Sequence, residues 1–362
     1  MHNKDASGEG TLFVLRKMPP AILTLRSDGS GLRTILDGFE GEPDGVQVDS
    51  ASGTIFWTNM GVDVTAADGA VYRSDLDGGN AVLLVGYGTV VTPKQLQRDP
   101  VAGHLYWCDR EGMRVMRSTE DGGDVTVLVR RGRFPEDAGD ERRHCVGIAI
   151  DMVKRHVYWT QKGPKNGGQG AIYRAGLDIP PGTDADSRDD IETLVTGLPE
   201  PIDLALDPGN ATLYWTDRGD EPDGNTLNRA RIGPDGLSGR EVVARGLAEG
   251  IGLALDHSGQ KAFVTDLGGT VYVCNLQPGS RFTPIAAWPD DRDRLRSRCT
   301  PNSSEAADTH QPMSQGAEYD LSDRDVRQSR ARAHPQGSVV RSPPLSRRAR
   351  VQADRVRIEE EG

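Results

Sequence analysis

A five-residue motif with an aromatic residue at its centre recurs along most of this chain. The clearest copy, at residues 213–217, reads Leu-Tyr-Trp-Thr-Asp. Four other copies are present, of which the last is weaker. The central residues of the five copies are Trp57, Trp107, Trp159, Trp215 and Val264, at successive distances of 50, 52, 56 and 49 residues. Repeats of this length are typical of propellers and related arrays, so this period constrains the fold more than any other feature of the sequence.

An aspartate precedes each motif at a fixed distance. Asp49, Asp99, Asp151, Asp207 and Asp256 each lie 8 residues before the central residue. Because these aspartates recur in every repeat, we interpret them as structural, since a catalytic site needs one constellation and not a set of copies. The four central tryptophans are interpreted in the same way, as equivalent buried packing positions.

Each repeat has the pattern of four short β-strands. An apolar run ends in the offset aspartate, the aromatic motif follows, and two further strands are separated by Asp-Gly turns such as residues 77–79. Four antiparallel strands per repeat are typical of a propeller blade, whereas a two-sheet sandwich lacks this internal period. Residues 11–15 resemble one more copy, centred on Val14. The sequence therefore predicts an all-β fold, a six-bladed β-propeller of four-stranded antiparallel blades.

The two ends of the chain differ in composition from the repeats. We expect residues 1–9 to be a disordered N-terminus, residues 10–288 to form the propeller, and residues 289–362, rich in Arg, Ser and Asp, to be a disordered low-complexity tail. The first blade shows no inner strand before residue 11, so we expect that strand from the C-terminal side. Residues 289–294 are too charged to supply it. The first blade is therefore predicted to be incompletely closed, unless the tail is not the native continuation of the chain.

Charge and cysteine content limit the partners and the compartment. The net charge is −11, and the acidic part of the chain is the repeat region, which argues against nucleic acid or an anionic membrane as the partner. No apolar stretch reaches the length of a membrane span. The 4 cysteines have no metal-binding spacing. We therefore expect a reduced, cytoplasmic and monomeric protein.

The motif carries a resemblance to a known family. Tyr-Trp-Thr-Asp at residues 214–217, with its variants, resembles the YWTD propeller built from class B repeats of the low-density lipoprotein receptor. The resemblance covers roughly residues 10–287 and implies a six-bladed propeller used as a binding module. The resemblance does not extend to the Cys-rich modules that flank receptor propellers, so receptor function is not implied.

One set of residues is predicted to encircle the upper opening of the central channel. These residues lie 7 positions before each offset aspartate, and they are Glu42, Thr92, His144, Glu200 and Glu249. We call them the mouth ring. Three carboxylates and an imidazole around a narrow opening would suit a hard cation such as Ca²⁺, while solvated loop positions are the simpler interpretation. The sequence favours a non-catalytic module that binds a protein or small ligand over this face, and the alternative is a calcium-dependent hydrolase that resembles the lactonase propellers.

Overall fold

Six four-stranded antiparallel sheets form the blades of the fold. The computed structural model describes residues 2–4, by their backbone alone, and residues 10–256 and 260–288. In each sheet the chain order of the strands is also their spatial order, from the channel outward. The predicted tail, residues 289–362, lies outside the described residues.

The strand bounds follow the repeat. Blades one to three contain β1 (His2–Lys4), β2 (Gly10–Arg16), β3 (Ala21–Arg26), β4 (Arg33–Asp37), β5 (Pro43–Asp49), β6 (Thr54–Asn59), β7 (Ala70–Asp75), β8 (Val82–Val85), β9 (Pro93–Asp99), β10 (His104–Asp109), β11 (Arg114–Thr119) and β12 (Thr126–Arg130). Blades four to six contain β13 (Cys145–Asp151), β14 (His156–Gln161), β15 (Gly170–Gly176), β16 (Glu192–Leu198), β17 (Pro201–Asp207), β18 (Thr212–Asp217), β19 (Thr226–Gly233), β20 (Gly236–Arg245), β21 (Gly250–Asp256), β22 (Lys261–Asp266), β23 (Thr270–Asn275) and β24 (Thr283–Ala287). Among the described residues, the helical content is one 3₁₀ turn, Glu141–Arg143.

The central residues of the motif fill the spaces between blades. Trp57, Trp107, Trp159 and Trp215 are at most 3% exposed. Each packs in an apolar cluster with residues of the preceding blade, as Trp215 does with Tyr158 and Ile172. Val264 and Val14 occupy the equivalent clusters, the latter against Phe263 of the sixth blade. Six equivalent clusters therefore join six blades into a closed ring, which is the architecture that the repeat predicts.

The threonine of the motif links neighbouring inner strands. The Thr160 hydroxyl accepts a hydrogen bond of 2.8 Å from Gly147 N–H, at a bulge in its own inner strand, and donates one of 2.7 Å to Ile202 C=O of the next blade. Thr58 and Thr216 bridge blades in the same way. The motif therefore contributes a buried hydrogen bond to the blade boundaries as well as an apolar ring.

The first blade requires a correction to the sequence analysis. Its inner strand is β1, at the N-terminus, which pairs antiparallel with β2 in the register His2↔Leu12 to Lys4↔Gly10. The expectation that this strand would come from the C-terminal side or be missing is therefore wrong, as is the expectation of a disordered segment at residues 2–4. Three polar residues carry no apolar signal, while the other five inner strands have 7 residues each. The remaining expected disorder, at residue 1 and residues 5–9, lies outside the described residues.

The offset aspartates end the inner strands. Asp49, Asp99, Asp151 and Asp207 accept backbone N–H hydrogen bonds from the turn that follows, as Asp99 does from Val101 at 3.0 Å. Asp256 ends β21 in the same position. Carboxylates that accept local N–H groups in this way stabilise the turn.

Candidate binding site at the channel mouth

The mouth ring lies at one end of the propeller, which we call the top face. There, the loops that enter the inner strands meet the loops between the second and third strands. The residue three positions after each motif centre donates its backbone N–H to the carbonyl of the ring residue of the same blade. These five bonds, between 2.8 and 3.2 Å, are Met60 to Glu42, Arg110 to Thr92, Lys162 to His144, Arg218 to Glu200 and Leu267 to Glu249. The five ring residues therefore occupy equivalent backbone positions.

The last residue of the motif holds the loop that carries the ring. The Asp109 carboxylate accepts the N–H of Thr92 at 2.8 Å, and the Asp217 carboxylate accepts the N–H of Glu200 at 2.9 Å. Burial raises the pKa of Asp109, and it raises the pKa of Asp217 to about 6. These contacts give the motif aspartates a positioning role in the loops.

Each glutamate of the ring pairs with basic side chains. Glu42 lies 2.9 Å from Lys17 of the preceding blade. Glu200, whose side chain is 0% exposed, is hydrogen-bonded to Arg218 and lies 3.6 Å from Lys162 of the preceding blade.

Glu249 completes this network. Its carboxylate lies 3.1 Å from Lys165 Nζ and 3.7 Å from Arg218 Nε, so Arg218 lies between two glutamates. The three ring carboxylates are therefore each paired with cationic side chains.

Thr92 and His144 complete the ring with hydrogen bonds of their own. Thr92 donates its hydroxyl hydrogen to Glu111 and accepts the Glu111 N–H at 2.9 Å. Burial alone would raise the pKa of Glu111, but the Arg110 guanidinium outweighs it and holds that pKa below its usual value.

The imidazole of His144 is buried. Its Nε2 lies 2.8 Å from the carbonyl of Ala138, which fixes Nε2 as the protonated nitrogen, and burial lowers the pKa of the ring. His144 is therefore a neutral donor to the backbone at neutral pH.

The structure does not gather the ring into a metal site. Among the described residues, no group of three or more His, Cys, Asp or Glu side chains is placed to hold a metal ion. The ring glutamates instead lie beside Lys and Arg side chains. A Ca²⁺ ion at the ring would have to displace Lys162, Lys165 or Arg218 from its carboxylate.

Three ionisable residues on the inner strands, Asp44, Lys94 and Asp203, were missed by the sequence analysis. Lys94 of the third blade forms a buried ion pair with Asp44 of the second, and burial lowers the pKa of Lys94. The buried Asp203 of the fifth blade accepts the N–H groups of Leu204 and Leu253 at 2.8 Å. Burial raises the pKa of Asp203 to about 8. The available signal for Asp203 was a charged residue in the otherwise apolar strand β17, whereas β9, which carries Lys94, is mostly polar and gave no such signal.

The bases of the mouth were also missed, although the repeat marks them. Lys17, Arg110, Lys162 and Arg218 all lie three residues after a motif centre. Each of the three ring glutamates follows a blade with a base at that position. The paired acid and base lie far apart in sequence, so only the adjacency of the blades reveals the match.

Comparisons with curated proteins identify close relatives. Over 271 residues the chain is 46% identical to low-density lipoprotein receptor-related protein 1 of Pyricularia oryzae, a match that covers 72% of this chain and 86% of that protein. It is 39% identical over 282 residues to the 3-hydroxyacyl-CoA dehydrogenase-like protein LAM1 of Cochliobolus heterostrophus, covering 74% of this chain and 59% of the relative. No protein-family model matches the chain.

Comparisons with solved structures agree on the fold. A chain of the nidogen/laminin complex superimposes with a TM-score of 0.57 at 17% identity, covering 79% of this chain and 95% of that one. A gluconolactonase from Xanthomonas campestris gives 0.51 at 18% identity, covering 75% and 82%. At these identities the likeness extends to the fold alone. No helix in the described part of the chain is long and apolar enough to cross a membrane.

Proposed function

Because the chain belongs to the YWTD β-propeller family, we propose that it is a non-catalytic binding module that engages a protein partner over its top face. The observation that carries this proposal is the pairing of the ring glutamates with Lys17, Lys162, Lys165 and Arg218. Such a network holds acids and bases at fixed places around the mouth. A fixed pattern of both charges favours recognition of a complementary protein surface.

A metal-dependent hydrolase is the second candidate. The similarity in fold to a gluconolactonase supports it, and the dehydrogenase-like name of one relative is a second reason to consider an enzyme. Calcium needs 6–8 oxygen ligands, which a set of ion-paired carboxylates supplies poorly. The ion pairs of the mouth ring therefore favour protein binding over metal-dependent hydrolysis.

The compartment and the oligomeric state stay predictions. Cys108, Cys145 and Cys274 are buried free thiols, as expected for a protein of a reducing compartment. We propose a cytoplasmic monomer.

The test compares charge reversals at opposite ends of one blade. Lys165→Glu changes the top face, in the loop after β14, and Lys154→Glu changes the exposed turn before β14 at the other end. Proteins retained from an extract of the source cells by wild-type chain and by Lys154→Glu, but lost with Lys165→Glu, would support top-face binding. Equal retention by all three proteins would refute it.

A second measurement addresses the enzyme. Hydrolysis of glucono-δ-lactone is followed with calcium and with a chelator. We expect no rate above the buffer blank and no change in melting temperature with calcium. A calcium-dependent rate that the chelator abolishes would establish the hydrolase instead.

A further inference from the structure

A cleft of about 310 Å³ opens on the top face at the second blade, outside the mouth ring. Its lining includes Glu40 from the loop before β5, Asp68 from the loop after β6, and the side chains of Tyr72 and Tyr87. The lining thus combines carboxylates with aromatic rings and contains no basic residue.

The aromatic part of the cleft is anchored at one end and exposed at the other. The Tyr72 ring stacks on Trp57 with centroids 5.3 Å apart, which ties it to the core. Its hydroxyl lies 3.3 Å from the hydroxyl of Tyr87, a residue that is 66% exposed. An aromatic ring held in this way offers a fixed face to a cation.

Asp68 contributes a carboxylate to the lining of the cleft. Its Oδ2 accepts the N–H groups of Val62 at 2.9 Å and Asp63 at 3.3 Å. Its Oδ1 is buried and has no hydrogen-bond partner among the described residues. Gly61, at φ +81°, allows this arrangement, because a Cβ there would overlap the carboxylate. Because Oδ1 is enclosed beside Gly61, the Asp68 carboxylate acts on the cleft through its negative charge.

The carboxylates of the cleft differ from those of the mouth ring. All three ring glutamates form ion pairs, whereas within the described part of the chain neither Glu40 nor Asp68 forms one. The cleft is therefore a place on the top face where negative charge lies beside aromatic rings without a basic neighbour to neutralise it.

We propose that this cleft binds the ammonium or guanidinium group of a Lys or Arg side chain presented by the protein partner. The inference rests on the proposed function and specifies the partner chemistry. The cation is attracted by the carboxylates of Glu40 and Asp68 and lies against the exposed Tyr87 ring. Attraction by both carboxylates and by the ring selects a cation over a neutral side chain of the same shape.

The test uses two labelled peptides that differ only in charge. One has the sequence Gly-Arg-Arg-Gly, and the other carries citrulline, the neutral isostere, in place of both arginines. Fluorescence anisotropy with the full chain is expected to show at least tenfold tighter binding of the arginine peptide. Asp68→Asn and Tyr87→Ala should each reduce this preference at least threefold, and Tyr87 is exposed enough that its loss should leave the fold intact.

A matched control separates the cleft from overall charge. Asp235→Asn removes one exposed carboxylate from the turn between β19 and β20, on the opposite face. It should bind as the wild type does. Equal affinity of wild type for both peptides, or an equal loss in Asp235→Asn and Asp68→Asn, would overturn the proposal.

Two further outcomes are informative. One distinguishes a small amine from a protein side chain as the ligand, and the other distinguishes failure of the cleft from failure of top-face binding. Tighter binding of free spermidine than of the arginine peptide would assign the cleft to small amines and overturn a protein side chain as its ligand. A partner lost with Lys165→Glu but unaffected by Asp68→Asn would leave top-face binding in place and remove the cleft from it.

Discussion

The ammonium group of Lys162 lies 3.6 Å from Glu200 Oε1, across the boundary between the fourth and fifth blades. The Glu200 side chain is 0% exposed, and it also accepts a hydrogen bond from Arg218. Taking charged groups out of water is costly, so a buried pair of this kind adds little over apolar residues, but removal of one partner leaves the others uncompensated. The mouth of the channel is therefore sensitive to the loss of a single charge.

Glu200→Gln is expected to lower the free energy of unfolding by about 3 kcal/mol, because it removes the buried carboxylate between Lys162 and Arg218, which keep only Glu141 and Glu249 as partners. Glu42→Gln, at the equivalent position, breaks a pair whose Lys17 side chain is 50% exposed. Solvent screens that pair, so its loss should cost about 1 kcal/mol or less. Urea denaturation of both variants measures the difference. Equal losses would contradict the burial argument.

The sequence predicted the blades well because their determinants are local and repeated. The 8-residue spacing between Asp99 and Trp107 is found in five repeats, and each copy supports the alignment of the others. It failed at β1, because a strand of three polar residues depends on its partner β2 and not on its own pattern. It also failed at the mouth, where Glu200 was recognised but Lys162 was not. The pairing of those two residues depends on which blades are neighbours, which is a property of the folded ring.

Asp203 should make stability depend on pH. Its pKa of about 8 in the folded protein lies far above the value of about 3.9 in an unfolded chain. Between these values the folded state holds a proton that the unfolded state has lost, so the contribution of Asp203 to stability decreases as pH rises. We expect the stability of wild type relative to Asp203→Asn to fall by about 1 kcal/mol between about pH 6.5 and 7.5.

The range from pH 6.5 to 7.5 lies above the pKa of Asp217, which is about 6. The other titrating groups contribute equally to wild type and to Asp203→Asn, so their effect is removed when the two proteins are compared. Asparagine keeps an oxygen that can accept the N–H groups of Leu204 and Leu253. Urea denaturation at several pH values measures the two slopes. Parallel slopes would show that Asp203 is ionised in the folded protein.

Trp215→Ala is expected to destabilise the protein by about 3–5 kcal/mol, as a large-to-small change in a packed core. Trp215 is 0% exposed and fills the cluster between the fourth and fifth blades. Arg240→Ala serves as the control, because its guanidinium lies over the same ring at 5.9 Å. It should cost about 1 kcal/mol or less. Similar losses in the two variants would place the stabilisation in the cation–π contact and not in the packing.

Removal of residues 1–9 should expose the inner edge of β2. The N–H and carbonyl groups of Gly10, Thr11 and Leu12 lie opposite β1, and an unpaired edge exchanges faster and invites association with other chains. The ring should stay folded, since Leu12 and Val14 keep their packing against Phe263. Amide hydrogen exchange measured by mass spectrometry should therefore quicken in Gly10–Arg16 and stay unchanged in Thr212–Asp217. Unchanged exchange in both strands would mean that β1 does not protect β2 in solution.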